Sequence, residues 1–247
     1  MTEPVFLSYL DDPALGSRVE LTGDEGRHAV SVRRIRLGEV IWIADGAGTA
    51  VRGPVVELGK GKLAVEVDEV VHTPAGPIRY VAVQALPKGD RAEQAVDLLT
   101  ELGVDEIVPW QAERSVVKWT PERVERGLTR WRATAREAAK QSRRFRVPIV
   151  SAPLTTDELA LRIKQTALTV VLHETATEPL AGLDLPGSGE VMFIVGPEGG
   201  LTDAEVETFA SAGGQVVLIA DTVLRTSTAG VVALAQLQAL SARDARG

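Results

Sequence analysis

A proline-containing break near residue 75 constrains the fold most, because the pattern of the sequence changes across it. Residues 72–77 read His-Thr-Pro-Ala-Gly-Pro, and two prolines with a glycine suppress regular structure. We therefore expect a linker at residues 73–78 between a first domain at 1–72 and a second at 79–247. A chain of 247 residues is long enough for two such domains, each with its own core.

Before the linker, short apolar runs alternate with turn residues, a pattern typical of a small antiparallel β-barrel. The helix predicted within this set starts at Thr22, with Glu25 in capping-box register, and runs to about Arg34. The predicted strands are Val5–Ser8, Arg18–Leu21, Val40–Ala44, Ala50–Glu57 and Lys62–Val71.

After the linker, strands and helices alternate, which predicts an α/β fold with a mostly parallel sheet covered on both faces. The predicted strands are Tyr80–Leu86, Val104–Val108, Leu168–Leu172, Val191–Val195 and Val216–Ile219. Four helices are predicted. The first is capped by Asp90, with Glu93 in register, and ends at Gly103. The others begin at Thr120 and Pro121, at Thr202, and at about Thr228, the last running to about Ala242. The last is apolar nearly all round, which suits burial against the sheet or against a second subunit.

Three of the predicted strands end in segments that could bind a ligand. Ligands of open α/β sheets bind at the carboxyl ends of strands, where glycines let the backbone approach closely. Residues 196–202 form a glycine-rich loop, which could also be only a tight turn before a capping box of Thr202 and Glu205. It matches neither the dinucleotide fingerprint nor the phosphate loop. The other two segments are 218–230, which is rich in hydroxyl groups, and 172–174.

Two charged or titratable side chains in these segments favour different interpretations. Arg225 lies between apolar elements, where burial requires an anionic or polar partner, so helix capping does not explain it. His173 is a lone histidine, which is more often a structural hydrogen-bonding group than a catalyst.

The charge distribution is uneven along the chain. A net charge of -7 and a pI near 5.2 argue against a general nucleic-acid binder. From Arg114 to Arg146, however, eleven basic residues face three glutamates, which indicates either a solvated helix face or an RNA-binding surface. The sequence has no cysteine and its histidines are scattered, which predicts a protein without metal. It shows no leader and no apolar run of membrane length, which predicts a cytoplasmic protein.

Five motifs together resemble the ribosomal RNA small subunit methyltransferase E family, within the SPOUT class of RNA methyltransferases. They read HAVSVRRIRLGE at 28–39, LTELGVDEIVP at 99–109, REAAKQSRRFRVP at 136–148, GPEGGLTDAE at 196–205 and VLRTSTA at 223–229. The resemblance implies a PUA-like barrel followed by a methyltransferase domain with a deep trefoil knot. It also implies a homodimer formed through that domain and methylation of uridine N3 in 16S ribosomal RNA, with S-adenosylmethionine as the methyl donor.

The resemblance also implies roles for individual residues. Arg225 would stabilise the developing negative charge of the uridine, and Glu198 is a weaker candidate for the proton acceptor, which could instead stabilise the following helix N-terminus. The cofactor site would comprise Leu172, His173, Glu174, Gly196, Pro197, Glu198, Gly199, Gly200, Leu218, Ile219, Ala220, Leu224, Thr226, Ser227 and Ala229. RNA would be bound by Arg33, Arg34, Arg36, Arg136, Gln141, Arg143, Arg144 and Arg146, with no metal.

The sequence departs from the family pattern at three places. Ser227 stands where the family usually has glutamate, Lys140 replaces another common glutamate, and the first basic residue is Arg18 rather than an arginine near the start. Two alternatives therefore stay open: a methyltransferase acting on transfer RNA or on a ribose 2′-oxygen, and a non-catalytic RNA-binding paralogue.

Overall fold

The computed structural model describes residues 3–244, and these form two compact units. The first unit comprises the chain up to Ala75 together with Arg136–Val147. The second comprises Gly76–Ala135 and the chain from Pro148 onward. The division at Ala75 lies inside the segment expected to be a linker, whereas the prediction of two continuous domains misses the inserted segment.

The inserted segment 136–147 belongs to the first unit because its side chains and backbone pack there. The ring centroids of Phe145 and Trp42 lie 4.9 Å apart. The Val147 N–H donates to the Gly46 carbonyl over 2.9 Å. These partners are about a hundred residues away in sequence, so a pattern read locally could not find them.

The first unit is built on a six-stranded, mostly antiparallel sheet in the order β1-β3-β4-β5-β2, with β6 also paired to β4. Only β1 and β3 run parallel. The strands are β1 Val5–Leu7, β2 Arg18–Leu21, β3 Val40–Ala44, β4 Thr49–Gly59, β5 Lys62–Glu66 and β6 Glu69–His72.

The strand predicted over Lys62–Val71 is two strands in the structure. The long strand β4 changes register between Val55 and Glu57, so its second half pairs with β5 and its first half with β6. Between β5 and β6, the Val67 N–H donates to Ser17 and the Asp68 N–H donates to Arg52. The change of partner breaks the strand, and no local pattern records it.

The helix predicted from Thr22 forms, but its predicted capping box does not. Helix α1 spans Gly23–Arg27 and continues as a π-helix over His28–Val32. Thr22 is the N-cap residue but makes no side-chain cap hydrogen bond. Glu25 Oε1 instead accepts a hydrogen bond from Lys140 Nζ over 3.1 Å, because a buried ammonium attracts the carboxylate more strongly than a backbone amide does.

The second unit contains a six-stranded sheet in which every neighbouring pair is parallel, in the order β12-β10-β11-β7-β8-β9. This confirms the predicted α/β class with its parallel sheet. The strands are β7 Ile78–Ala85, β8 Glu106–Trp110, β9 Ile149–Val150, β10 Leu168–Leu172, β11 Gly189–Val195 and β12 Gln215–Val217.

Helices cover both faces of this sheet, as predicted. Leu159 and Phe209, on α4 and α5, join the core that includes Val83 and Ile194. On the other face α6 packs against α2 and β11. The helices are α2 Arg91–Leu102, α3 Pro121–Gln141, α4 Thr156–Ile163, α5 Asp203–Ser211 and α6 Thr226–Asp244. No helix among residues 3–244 is both long and apolar enough to cross a membrane.

The predicted helix boundaries were right where backbone geometry sets them. Pro121 opens α3, Gly103 ends α2 with φ at 104°, and Thr202 and Glu205 form both bonds of a capping box. Asp90 is the N-cap residue of α2 as predicted, but its side chain makes no cap bond, and Glu93 is paired with Arg130 at 3.1 Å instead. Helix α4 was not predicted.

A charge cluster fixes the amino-terminal end of this sheet, opposite the strand ends that carry the candidate site. Glu106, nearly buried, accepts hydrogen bonds from Arg79 at 2.6 Å, from Arg162 at 2.7 Å and from Ser151. Burial alone raises the pKa of Glu106, but the bonds from Arg162, Ser151 and Arg79 outweigh it and hold the pKa at about 2. The carboxylate is therefore charged at neutral pH.

Candidate functional site

The three strand-end segments of the second unit meet at one cavity of about 410 Å³. They follow strands β10, β11 and β12. Strand β10 lies between the other two and runs parallel to both, so the carboxyl ends of the three strands lie at one edge of the sheet. The volume is in the range of about 300–1,000 Å³ typical of small-molecule sites. The lining residues are Leu172, His173, Glu174, Val195, Gly196, Pro197, Glu198, Gly199, Gly200, Leu201, Leu218, Ile219, Ala220, Thr222, Val223, Leu224, Arg225, Thr226 and Ala229.

The glycine-rich loop 196–200 is shaped by its glycines and held from outside. The Gly200 N–H closes a turn on the Pro197 carbonyl, and φ at Gly200 is +70°, which other residues rarely adopt. A Cβ at Gly196 would come within 2.6 Å of Leu201 Cδ1, so this position has no space for a side chain. Arg114 donates to the Gly199 carbonyl at 3.2 Å and to the Leu201 carbonyl at 3.0 Å. The loop is therefore a fixed wall of the cavity.

The segment after β12 forms a second wall, held by backbone bonds. Its Leu218 exchanges backbone hydrogen bonds with the segment 178–180. The Ile219 carbonyl accepts from Gln236 Nε2 on α6 over 2.9 Å. Leu218, Ile219 and Leu224 are partly buried and apolar, which suits a planar aromatic ligand group.

A buried polar pair joins these two walls to the centre of the sheet. Thr226 Oγ1 donates to the Gly196 carbonyl at 2.8 Å and accepts from Gln84 Nε2 at 3.0 Å. Gln84, on β7, is fully buried, and its Oε1 has no hydrogen-bond partner within the described part of the chain. Gln84 was not among the predicted site residues. The available signal was a glutamine inside the apolar strand predicted over Tyr80–Leu86.

Ser227 does not line the cavity, contrary to its predicted place in the cofactor site. It is 2% exposed in the first turn of α6, and the side chain next to it, that of Thr226, reaches the Gly196 carbonyl instead. Successive residues of a helix point in directions about 100° apart, so only one of the two can face the loop. The departure from the family's glutamate therefore falls beside the cavity.

Arg225 lines the cavity and is exposed, so its charge stays in contact with solvent and needs no buried partner. Its carbonyl accepts hydrogen bonds from the Thr228 and Ala229 N–H groups, which fix the backbone at the start of α6. Among residues 3–244 no carboxylate forms an ion pair with its guanidinium. This cation is accordingly available to an incoming anion.

Glu198 and His173 both line the cavity but are already hydrogen-bonded. Glu198 Oε1 accepts from the Lys88 N–H at 3.1 Å and pairs with Arg91 at 3.2 Å. It does not cap helix α5, because Thr202 and Glu205 do. His173 Nδ1 lies 2.9 Å from Thr175 Oγ1, as expected of a structural histidine.

The residues predicted to bind RNA all lie in the first unit. Arg33, Gln141 and Arg143 line one cleft of about 110 Å³ there, together with His28. Arg34 and Arg36 are exposed on the same unit. The two basic groups of the sequence, 33–36 and 136–146, therefore belong to one compact unit rather than to two.

Arg146 and Arg136 have structural partners within the first unit. Arg146 donates to the Thr73 carbonyl at 2.8 Å and so anchors the inserted segment. Arg136 lies 3.7 Å from Glu25, within a cluster that also contains the buried Lys140. Arg144 is half-buried.

Comparisons with known proteins match both units. The family described as RNA methyltransferase domain matches residues 74–238, and the family described as RNA methyltransferase PUA domain matches residues 21–68. The ribosomal RNA small subunit methyltransferase E of Mycobacterium bovis is 43% identical over 244 residues, covering 96% of this chain and 92% of that protein. The Bacillus subtilis enzyme of the same name is 32% identical over 225 residues, covering 88% of each.

A solved structure agrees with these sequence matches. The crystal structure of the ribosomal RNA small subunit methyltransferase E of Neisseria gonorrhoeae, bound to S-adenosyl methionine, superposes with a TM-score of 0.87 at 30% identity. It covers 97% of this chain and 98% of that one. Fold and site thus define an RNA methyltransferase of the SPOUT type preceded by a PUA domain. More narrowly, the chain belongs to the ribosomal RNA small subunit methyltransferase E family.

Proposed function

We propose that this protein uses S-adenosylmethionine to methylate N3 of a uridine in the 16S RNA of the small ribosomal subunit. One observation carries the proposal: three segments far apart in sequence, 172–174, 196–201 and 218–229, line a single cavity. The relatives' shared name supports ribosomal RNA as the substrate, and the resemblance found in the sequence supplies the atom that is methylated.

The residues that line the cavity fit S-adenosylmethionine. Backbone groups of loop 196–200 approach without intervening side chains, and the partly buried Leu218, Ile219 and Leu224 offer an apolar surface for adenine. Glu174 adds negative charge, which suits a ligand that carries a sulfonium and an ammonium group. The relative from Neisseria gonorrhoeae was crystallised with this cofactor. When bound, the cofactor supplies an electrophilic methyl group.

The protein's task is to position the uridine and manage its charge. Uridine N3 must lose a proton, and the resulting negative charge spreads over the flanking carbonyl oxygens. Arg225 is suited to stabilise that charge because its guanidinium is exposed at the cavity and has no carboxylate partner among the described residues. Glu198 is the weaker candidate for the proton acceptor, since one of its oxygens is already bonded to Lys88 and Arg91.

Substrate RNA is proposed to contact the basic residues of the first unit. Phosphate contacts there would position the RNA, while the target uridine leaves its stack to reach the methyl group. The family resemblance also predicts a trefoil knot and a homodimer formed through the second unit, and the composition of the sequence predicts a cytoplasmic location. These three stay predictions.

The proposal is tested by methylating small subunits isolated from a strain without this activity, using S-adenosylmethionine labelled in the methyl group. Nucleoside mass spectrometry should then find 3-methyluridine in the small-subunit RNA. A labelled ribose or labelled transfer RNA would contradict the proposed substrate. Calorimetry that detects no S-adenosylmethionine binding would identify a non-catalytic paralogue instead.

Arg225→Ala and Glu198→Gln test the two assigned roles. Loss of a charge-stabilising group lowers turnover about 100-fold or more, so Arg225→Ala should do this while cofactor affinity is unchanged. Near-normal turnover in either variant would remove that residue from the mechanism.

A further inference from the structure

A second cavity of about 450 Å³ lies in the second unit. It shares no lining residue with the cavity of about 410 Å³ described above, which we call the methyl-donor cavity. It is formed by the loop after β7, the start of α2, the segment that leads into α3, and α3 itself. We call it the tryptophan groove. Its lining residues are Leu86, Pro87, Gly89, Asp90, Ala92, Glu93, Val117, Lys118, Trp119, Arg123, Arg126, Gly127, Arg130 and Trp131.

The groove presents a fixed aromatic ring. Trp119 packs edge-on against the buried Trp131, with ring centroids 5.4 Å apart. A Cβ at Gly127 would come within 2.5 Å of Trp119 Cζ2, so the indole lies close against the α3 backbone where only glycine leaves room. The backbone N–H of Trp119 donates to Gln111 Oε1 at 2.8 Å, which fixes the main chain that carries the ring. The half-buried indole is thus held in place while still lining the groove.

Two cations beside this ring have no carboxylate within ion-pair distance among the described residues, although the charge of Glu122 acts on Arg123 from the preceding position of the helix. Arg123 and Arg126 are three residues apart on α3 and exposed, and no carboxylate in residues 3–244 pairs with either. By contrast Arg130 is paired with Glu93, and Lys118 Nζ donates to the carbonyls of Ala112 and Glu113 at 3.1 and 3.2 Å. Unpaired guanidinium groups at an aromatic groove are unexpected in a chain with net charge -7 unless they meet an anion.

Two of the segments that build the groove also connect to the glycine-rich loop of the methyl-donor cavity. The groove-lining loop 86–90 includes Lys88, whose N–H donates to Glu198 Oε1 at 3.1 Å. On the other side Arg114 donates to the Gly199 carbonyl at 3.2 Å, and the groove-lining residues 117–119 follow within five residues. The groove therefore borders the wall of the cavity where the target nucleotide reacts.

We propose that the tryptophan groove binds the RNA strand beside the target uridine, with one unpaired base stacked on Trp119 and phosphates on Arg123 and Arg126. The proposal rests on the proposed function, since it places substrate next to the methyl-donor cavity. Aromatic side chains with flanking cations bind single-stranded nucleic acid without strong sequence preference. A base displaced from its helix leaves neighbours that need such a support.

Binding of a fluorescein-labelled oligouridine, measured by anisotropy over a range of salt concentrations, tests the groove. Trp119→Leu should weaken binding about fivefold through lost stacking. Arg123→Gln and Arg126→Gln should each lower the slope of log affinity against log salt by about 0.7. The matched control is Lys164→Gln, which removes one exposed positive charge of the same unit that does not line the groove and should leave affinity and slope unchanged.

Several outcomes would overturn the groove proposal. Wild-type affinity and slope in both arginine variants would do so, even if Trp119→Leu failed to fold. Polyglutamate and unlabelled oligouridine should be compared as competitors of the labelled oligouridine. If they compete equally well, the groove is an anion site without base stacking. S-adenosylmethionine affinity, measured by calorimetry, should stay at the wild-type value, and an equal loss there would mean that the variants act through the donor cavity.

The same assays separate this proposal from the proposed function. If the wild type methylates small-subunit RNA and the arginine variants do so with unchanged KM, the groove proposal fails alone. If the wild type methylates no RNA but binds oligouridine through Trp119, the proposed function fails and the groove remains an RNA site. Both hold if the variants raise KM for RNA and leave kcat unchanged.

Discussion

Replacing Thr226 with valine should weaken both the fold and cofactor binding, because its hydroxyl joins the glycine-rich loop to β7. The hydroxyl is the only feature lost, since valine has nearly the same shape. Gln84 Nε2 keeps its bond to the Ala85 carbonyl at 3.1 Å but loses the one to Thr226 at 3.0 Å. The Gly196 carbonyl loses a donor at 2.8 Å.

The two losses differ in size because the two groups differ in access to water. Gln84 is 0% exposed, so its orphaned N–H has no replacement partner and costs about 1–3 kcal/mol. Gly196 is only partly buried and can recover a bond with water. We expect Thr226→Val to destabilise the protein by about 2 kcal/mol in total, which lowers Tm by about 4–8 °C. The freed loop should also bind S-adenosylmethionine about tenfold more weakly.

A matched control and a double variant sharpen the test. Thr208→Val removes a hydroxyl that donates to the Ala204 carbonyl at 2.7 Å on the surface of α5, and should change stability by less than about 0.5 kcal/mol. In Gln84→Met/Thr226→Val the buried N–H no longer exists. The double variant should therefore be at least about 1 kcal/mol more stable than the sum of the single effects predicts.

The assays are thermal unfolding followed by circular dichroism and calorimetric titration with S-adenosylmethionine. Additive single effects would show that Gln84 and Thr226 do not interact energetically. A Tm for Thr226→Val equal to that of Thr208→Val would refute the argument that the buried pair holds the loop.

Three further perturbations probe the scaffold. Glu106→Gln should destabilise the protein by about 3 kcal/mol at pH 7, which is the free energy that corresponds to a pKa lowered from 4.5 to about 2. The stability advantage of the wild type is complete above pH 4.5 and disappears as the pH falls through about 2, so unfolding curves that differ equally at pH 7 and pH 2 would contradict this prediction. Lys140→Met should lower the free energy of unfolding by about 3 kcal/mol, because Glu25 loses its ion-pair partner at 3.1 Å. Adding Glu25→Met should restore part of that free energy, and chemical denaturation that finds no recovery would argue against the pair. Gly103→Ala should lower the free energy of unfolding by about 1–2 kcal/mol, because φ at Gly103 is 104°. Gly187 has an ordinary φ and open space for a Cβ, so Gly187→Ala should leave the melting temperature unchanged.

The sequence predicted much of the fold because the strongest local signals were geometric or apolar. Arg18–Leu21, Val40–Ala44 and Leu168–Leu172 form strands with the predicted bounds. Gly103 and Pro121 bound their helices as expected, since a glycine with positive φ and a proline at the first helical position act through their own backbone. Such constraints need no knowledge of distant neighbours.

The predicted caps failed where a distant charge competed for the side chain. Thr202 and Glu205 form their capping box, but the similar pair Thr22 and Glu25 does not. The difference lies in Lys140, which is 115 residues away from Glu25 and binds its carboxylate. A sequence pattern weighs only the local partner, whereas the folded chain offers a charged one.

The candidate site divides in the same way. The local pattern was enough to predict that glycine-rich and hydroxyl-rich segments follow buried parallel strands. Parallel pairing then brings the ends of those strands to one edge, so nearly every predicted cofactor residue lines one cavity. The folded chain was needed to see that Thr226 rather than Ser227 faces the loop, that Gln84 supports it, and that Arg225 is exposed. Those outcomes depend on side-chain direction and on burial by elements remote in sequence, and neither quantity is a property of a local segment.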